Sequence, residues 1–379
     1  MQEMDDINED VELEIEPREY ADLLIGARDW SVETMLSQLT NGNIELFPRY
    51  QRRSAWNDVK RSRFLESIIL GVPIPQVVLA ELEQKGRYVV IDGKQRLLTL
   101  AGLASEQFSF WKSRRLRYML TLHELNDVPI DEFLNDPKYA GLYRQFQNQP
   151  VRAAIIVGAK TDDVLYDIFY RLNSGSVPLS GQELRQTFLR GAFTDYLFNA
   201  TNTFQPIHRV MNLTGPDQRM YDAEIVLRYF ATALSVVAYA GNLKRYLDET
   251  TTALNADWIT YATRVQKQYE SMNRAISRLS TLVEVRHIGR RLIGERYDGR
   301  LNRALLEVQL YYFSHLTAVK KTQSEQYADA LRTLCRSEKF ADSIELTTKS
   351  VGRFRTRFAM FGRLVKKVFG RSIELPSIA

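Results

Sequence analysis

Five consecutive residues, Asp92-Gly93-Lys94-Gln95-Arg96, bring a carboxylate, a glycine, an ammonium, an amide and a guanidinium together directly after the apolar run Tyr88-Val89-Val90-Ile91. A strand that stops on a glycine turn and runs into a helix leaves the first helical N–H groups without acceptors inside the helix. Such a terminus attracts anions, phosphate above all. Arg96 could grip two phosphate oxygens at once. Gln95 could bond a phosphate or place an attacking water, and Lys94 favours an anion. Asp92 could hold Mg2+, which prefers oxygen ligands. Each residue also has a purely structural use. Asp92 could cap the helix or orient a basic side chain, Gln95 could be an exposed residue of the first turn, and Arg96 could form a salt bridge to Glu66 or Asp92.

Further candidates lie outside that run. Arg52 falls in an irregular stretch ahead of Trp56 and could complete an anion pocket, whereas Arg53 reads as surface. Glu66 stands near the C-terminal end of its helix, where an acid opposes the dipole; it is expected to pair with an arginine or to help a metal. Arg171 and Asn173 close a helix ahead of Ser174-Gly175-Ser176, so they could lie over a base, ribose or phosphate, or Asn173 could simply stop the helix. Ser180 and Glu183 have capping-box spacing. Arg185 follows on that helix, within reach of a site or salt-bridged at the surface. Glu224 and Arg228, at i, i+4, read as an ordinary helix pair.

The elements that must position these residues show as periodicities. Val32, Met35, Leu36 and Leu39 share a helix face that stops at Asn41-Gly42; residues 1–28 ahead of it read as a lead-in, helical at most near 20–24. Asn57 caps a helix with Phe64, Leu65, Ile68 and Ile69 inward and Gly71 as its stop. Pro73 and Pro75 then force extended backbone. Residues 77–82 and 87–91 form a hairpin around Lys85-Gly86, and Leu97, Leu98, Leu100 and Ala101 continue as a helix. Leu116, Tyr118, Leu120 and Leu122 alternate as in a half-buried strand. Residues 130–147 are helical with a break near Asp136-Pro137, 151–157 form an apolar strand, and 162–172 form a helix with Leu165, Ile168, Phe169 and Leu172 inward. Beyond about residue 195 strand signals fade, and helical periodicity continues through 219–239, 256–283, 301–317, 324–337 and 352–368. The chain therefore divides into an acidic lead-in (1–28), an α/β domain (29–195) and an all-helical domain (196–379) that ends in a basic helix, an α+β organisation.

A chain of 379 residues has room for two domains. With 45% hydrophobic and 26% charged residues it has a globular balance, which excludes disordered and fibrous classes. No apolar run reaches the roughly 18–20 residues of a membrane span, and the acidic N-terminus is unlike a signal or transit peptide. The single cysteine, Cys335, excludes an internal disulfide and a multi-cysteine zinc site and fits a reducing cytoplasm. Four histidines, none four residues from another, argue against a His-rich metal site. No Walker loop, nucleophile elbow or H-N-H-like nuclease spacing occurs, and Glu81-x-Glu83-x-Lys85 reads as hairpin surface. Charge is uneven: residues 3–22 hold ten acids and one arginine, and residues 349–371 hold eight cations and no acid. Among the latter, Arg353, Arg355, Arg357, Arg363, Lys366 and Lys367 make either a solvated helix face or a contact for nucleic acid or an acidic partner.

Several motifs agree in order: Tyr50-Gln51-Arg52 with Trp56, Arg63-x-x-Glu66-Ser67, Gly71-x-Pro73-x-Pro75, Asp92-Gly93-Lys94-Gln95-Arg96, Phe169-x-Arg171-x-Asn173 and Leu179-Ser180-x-x-Glu183-Leu184-Arg185. Together they resemble the bacterial domain family with a D-G-Q-Q-R motif, found in the N-terminal half of GmrSD-type modification-dependent restriction enzymes and in phosphorothioate-sensing defence proteins. The resemblance covers about residues 29–240. It implies a ParB/sulfiredoxin-like fold, a small mixed sheet with helices, and binding and hydrolysis of a nucleoside triphosphate with Mg2+, coupled to a nuclease. It assigns Asp92, Gln95 and Arg96 to catalysis, and Arg52, Gly93, Lys94, Gln95, Arg96, Arg171, Asn173 and Arg185 to the nucleotide. Asp92 and Glu66 would serve the metal. The sequence departs from the family at Lys94, where Gln is usual, and at Ser174-Gly175-Ser176 in place of T-G-G, which removes backbone freedom from that loop.

The expectation is thus a cytoplasmic nucleotide-binding component of an anti-phage or restriction-type system that regulates a separate effector or nuclease. DNA is a further possible partner, no membrane is expected, and homo-oligomerisation is left open. The rival readings are a non-catalytic sensor of modified DNA and a helical scaffold or antitoxin-like protein.

Overall fold

The fold is that of a computed structural model, which describes residues 20–46, 56–82, 84–104, 113–159, 162–173, 180–345 and 350–378. Contacts divide the chain into one unit that ends at residue 179 and another that begins at Ser180.

The first unit is built on a five-stranded mixed sheet in the order β1-β5-β3-β4-β2. Its strands are β1 (Leu24–Ser31), β2 (Ile44–Glu45), β3 (Val77–Glu81), β4 (Tyr88–Asp92) and β5 (Pro150–Val157). β3 and β4 are the expected antiparallel hairpin, and β3 pairs in parallel with β5 from Val77/Ala153 onward. The edge strand β1 lies antiparallel along the whole of β5, where a disordered or helical lead-in was expected. Six of its eight residues are exposed, Leu24 and Ile25 among them, so no buried apolar alternation marks it in the sequence.

Helices α1 (Val32–Thr40), α2 (Asp58–Ile69) and α3 (Lys94–Ala104) surround the core with α4 (Ile130–Asn135) and α5 (Ala140–Asn148). Val32, Met35, Leu65, Ile68, Leu97 and Leu100 meet Leu79, Val90, Ala153 and Ile155 of the sheet there. Ser31 caps α1 and Asn57 caps α2 through side-chain oxygens. Gly71, at φ +71°, ends α2 in a Schellman arrangement in which Gly71 N–H donates to Ile68 O and Val72 N–H to Ser67 O. Helix α6 (Asp162–Asn173) packs on β4 with Val164 and Leu165 buried, but Leu172 is exposed rather than inward. The strand expected around Leu116 to Leu122 is absent. Tyr118 adopts φ +64°; Leu116 N–H still meets the Val128 carbonyl, but from Arg117 onward side chains take the amides of Arg117, Met119, Leu120, Thr121 and Leu122.

The second unit is helical. It comprises α7 (Gly181–Phe188), α8 (Ala192–Thr201), α9 (Pro206–Val210), α10 (Tyr221–Leu234), α11 (Leu243–Ala256), α12 (Trp258–Leu282), α13 (Arg303–His315), α14 (Ser324–Arg336), α15 (Glu338–Glu345) and α16 (Val351–Phe369). One small hairpin interrupts it, β6 (Leu292–Ile293) with β7 (Arg296–Tyr297). Helices α10 and α13 are buried nearly all round and form its centre. Ser180 and Glu183 form the expected capping box of α7.

Candidate functional site

The D-G-K-Q-R run takes the expected form. β4 ends at Asp92, Gly93 turns at φ +91°, and α3 begins at Lys94, with Leu97 N–H donating to Gly93 O. Glycine is required: a β-carbon at position 93 would sit 2.7 Å from Val77 Cγ1 and 3.0 Å from Arg96 Nη2. Arg96 folds back over the turn. Its Nη2 donates to Asp92 Oδ2 at 2.8 Å and to the Gln76 carbonyl at 3.1 Å, and its side chain is 14% exposed against 37% for Asp92. Of the two partners foreseen for Arg96, the structure selects Asp92. The guanidinium is left with a buried Nε–H that meets no acceptor among the described residues.

Glu66 does not pair with an arginine. Its carboxylate accepts from three successive main-chain amides, Leu120 N–H at 3.0 Å, Thr121 N–H at 2.6 Å and Leu122 N–H at 2.9 Å, rather than from an arginine. Burial alone would raise its pKa, but these donors outweigh that and hold it below the ordinary glutamate value. With its oxygens taken up by these amides, Glu66 anchors the 120–122 segment.

Beside the turn lies a cleft of about 340 Å³ that the sequence did not announce. It occupies the gap between residues 71–76 and the start of β5, where the β3–β5 pairing has not yet begun. Pro73 and Pro75 have no N–H to offer a ladder, so the two strands part at this point. Gln76 belongs to both features, lining the cleft and holding Arg96 through its carbonyl.

Residues 32–190 match the family described as GmrSD restriction endonuclease, N-terminal domain. That segment is similar to the GmrSD N-terminal domain and is called GmrSD N-terminal-like below. Searches of curated proteins and of solved structures each gave no match. The domain fits a component of a restriction-type system.

The GmrSD N-terminal-like domain brings only part of the expected residue set together. Asp92, Gly93, Lys94, Gln95 and Arg96 share the turn, whereas Arg52 lies outside the described residues. Arg171 is 74% exposed on α6 and pairs one turn back with Asp167 at 2.6 Å; Asp167 also accepts from the Tyr20 hydroxyl. Asn173 is the last residue of α6.

Arg185 falls on α7, within the second unit, and is not the surface residue that one alternative made it. It is 4% exposed, donates to Asp248 Oδ1 at 2.7 Å and lies 3.6 Å from Glu224. Glu224 also meets Arg228 at 2.8 Å and Arg303 at 3.5 Å. The Glu224–Arg228 pair is thus part of a buried ion cluster, not an ordinary surface pair. Burial pushes the Glu224 pKa up, but Arg228, Arg303 and Arg185 more than reverse this and bring it to about 2.

The basic helix α16 splits. Arg355, Arg363, Lys366 and Lys367 are exposed and Arg353 is half-buried. Arg357 is withdrawn from any nucleic-acid role. At 1% exposure it pairs with Glu307 Oε2 at 3.0 Å and lies 4.6 Å from the Phe354 ring centre. Its place on the apolar face, between Phe354 and Phe358 and Phe361, was the sequence signal for this burial.

Proposed function

We propose that the GmrSD N-terminal-like domain binds a nucleoside triphosphate with Mg2+ at residues 92–96, and that binding or hydrolysis there regulates a separate effector of a restriction-type system. The observation that carries this reading is the buried Nε–H of Arg96, which meets no acceptor among the described residues, on a guanidinium held at a strand-glycine-helix turn. An unpaired buried donor costs about 1–3 kcal/mol, and a phosphate oxygen is the partner this setting favours.

The residues present suit the metal as a phosphate-bound ion and not as a caged one. Asp92 offers one partly exposed carboxylate, and the described residues contain no cluster of three side chains that could hold a metal. Magnesium bound through one or two carboxylates and substrate phosphates needs no more. When bound, the ion neutralises phosphate charge. Arg96 would exchange Asp92 for phosphate oxygens, which frees the Asp92 carboxylate for the metal and sets a fixed positive charge against the transferring group. Lys94 adds positive charge at the same helix start, and Gln95 would position water. Purified protein should release phosphate from nucleoside triphosphates, and Arg96→Ala and Asp92→Ala should abolish release. Equal release by all three proteins contradicts the enzymatic reading.

A second reading rests on the exposed, acid-free face of α16, where Arg355, Arg363, Lys366 and Lys367 suit a nucleic-acid backbone. DNA retardation that weakens steeply with salt supports it, and salt-insensitive or absent binding counts against it.

A further inference from the structure

The geometry points to the cleft beside the turn as the seat of the nucleobase, with Gln149 as a specificity-determining residue. This rests on the nucleotide reading above and extends it to a second part of the same site. Three observations carry it.

The first is contiguity. The Gln76 carbonyl holds Arg96 at 3.1 Å, and Gln76 itself lines the cleft. A ligand with phosphates at the turn therefore has this space adjoining it through Gln76. The second is size and surface. The volume of about 340 Å³ lies at the small end of the range for ligand sites. Val72, Pro73, Ile74 and Pro150 give it apolar walls, the kind of surface that accepts the face of a planar ring, and the Asp29–Arg152 ion pair lines it beside Pro150.

The third is an amide on an anchored backbone. Gln149 is anchored at both ends of its peptide: its N–H donates to Phe146 O at 3.2 Å and its carbonyl accepts from Val32 N–H at 2.9 Å. Its side-chain amide lies against Gly71, where a β-carbon would stand 3.4 Å from Nε2. One amide presents a donor and an acceptor side by side, which is the pattern needed to read a base edge. The G-x-P-x-P motif then has a physical task. Its glycine closes α2 at φ +71°, and its prolines hold open the gap that the base enters.

The test compares ATP, GTP, CTP and UTP with inorganic triphosphate by titration of the full chain in Mg2+. Wild type should bind at least one nucleotide tenfold or more tighter than triphosphate. Val72→Trp, a neutral change at a residue that is 50% exposed, should remove that advantage and leave triphosphate affinity within twofold. Gln149→Ala should narrow the preference among the four nucleotides, and it stands in for Val72→Trp if that variant melts early. If nucleotides and triphosphate bind wild type equally, or if both variants keep the nucleotide advantage, the cleft assignment is overturned while the phosphate site stands. If neither nucleotides nor triphosphate bind, the underlying nucleotide reading fails, and this inference with it.

Discussion

Arg96 reaches back four residues to Asp92 and closes the glycine turn with a 2.8 Å ion pair. The pair makes the two candidate groups each other's partner in this conformation, so a ligand there must offer Arg96 more than Asp92 does. A triphosphate with Mg2+ meets that condition on both sides, since it supplies several anionic oxygens to the guanidinium and a cation to the carboxylate.

Glu66 yields the first prediction. Glu66→Ala leaves three amides of the 120–122 segment without an acceptor and should destabilise the protein by about 3 kcal/mol or more, as measured by denaturant unfolding. Chelation of metal should change neither the wild type nor the variant in that assay. The pH dependence follows from the lowered pKa. The Glu66 contribution is fully present above its unfolded-state value near 4.5 and is lost as pH falls through the lower folded-state value. Glu66→Gln should therefore flatten the acid limb of the stability curve.

Glu224 should have the same sign with a larger reach. With its folded-state pKa at about 2 against an unfolded value near 4.5, it contributes about 3 kcal/mol above pH 4.5, and this is lost as pH falls toward 2. Glu224→Gln should remove that acid dependence. It should also destabilise the helical unit at neutral pH, because Arg185, Arg228 and Arg303 lose their shared counter-charge. Circular dichroism across a pH series reads both effects.

For Arg357, the expected effect is on stability and not on nucleic acid. Arg357→Met alone strands the buried Glu307 carboxylate and should cost about 3–5 kcal/mol, whereas Arg357→Met with Glu307→Leu should recover most of that loss. Thermal unfolding of the single and double variants distinguishes the two. Reversal of Arg363, Lys366 and Lys367, all exposed, should leave unfolding within about 0.5 kcal/mol. A DNA contact on this face would show in those variants as a smaller salt slope.

Where packing follows one local period, the sequence was a good guide. The caps at Asn57 and Ser180, the hairpin around Lys85-Gly86, the glycine stops at Gly42 and Gly71 and the turn at Gly93 all lie where their residue types place them. Failures came where a distant partner decides. β1 is an exposed edge strand defined only by β5. The Leu116 to Leu122 alternation is not a strand, because Ser62, Glu66 and Asn126 capture its amides. Arg185 and Arg357 look like surface cations by type, yet they are buried against acids far away in the chain. The cleft was hidden for the same reason: Pro73 and Pro75 announced extended backbone, but not that β5 would lie across the gap.

The most direct measurement is a structure of the protein soaked with a non-hydrolysable nucleoside triphosphate and Mg2+. The account predicts a phosphate oxygen about 3 Å from Arg96 Nε, the guanidinium turned from Asp92 toward the phosphates, and the Asp92 carboxylate directed at the metal. An unchanged Arg96–Asp92 pair, with the buried Nε–H still without a phosphate partner and the nucleotide absent or bound elsewhere, would contradict it.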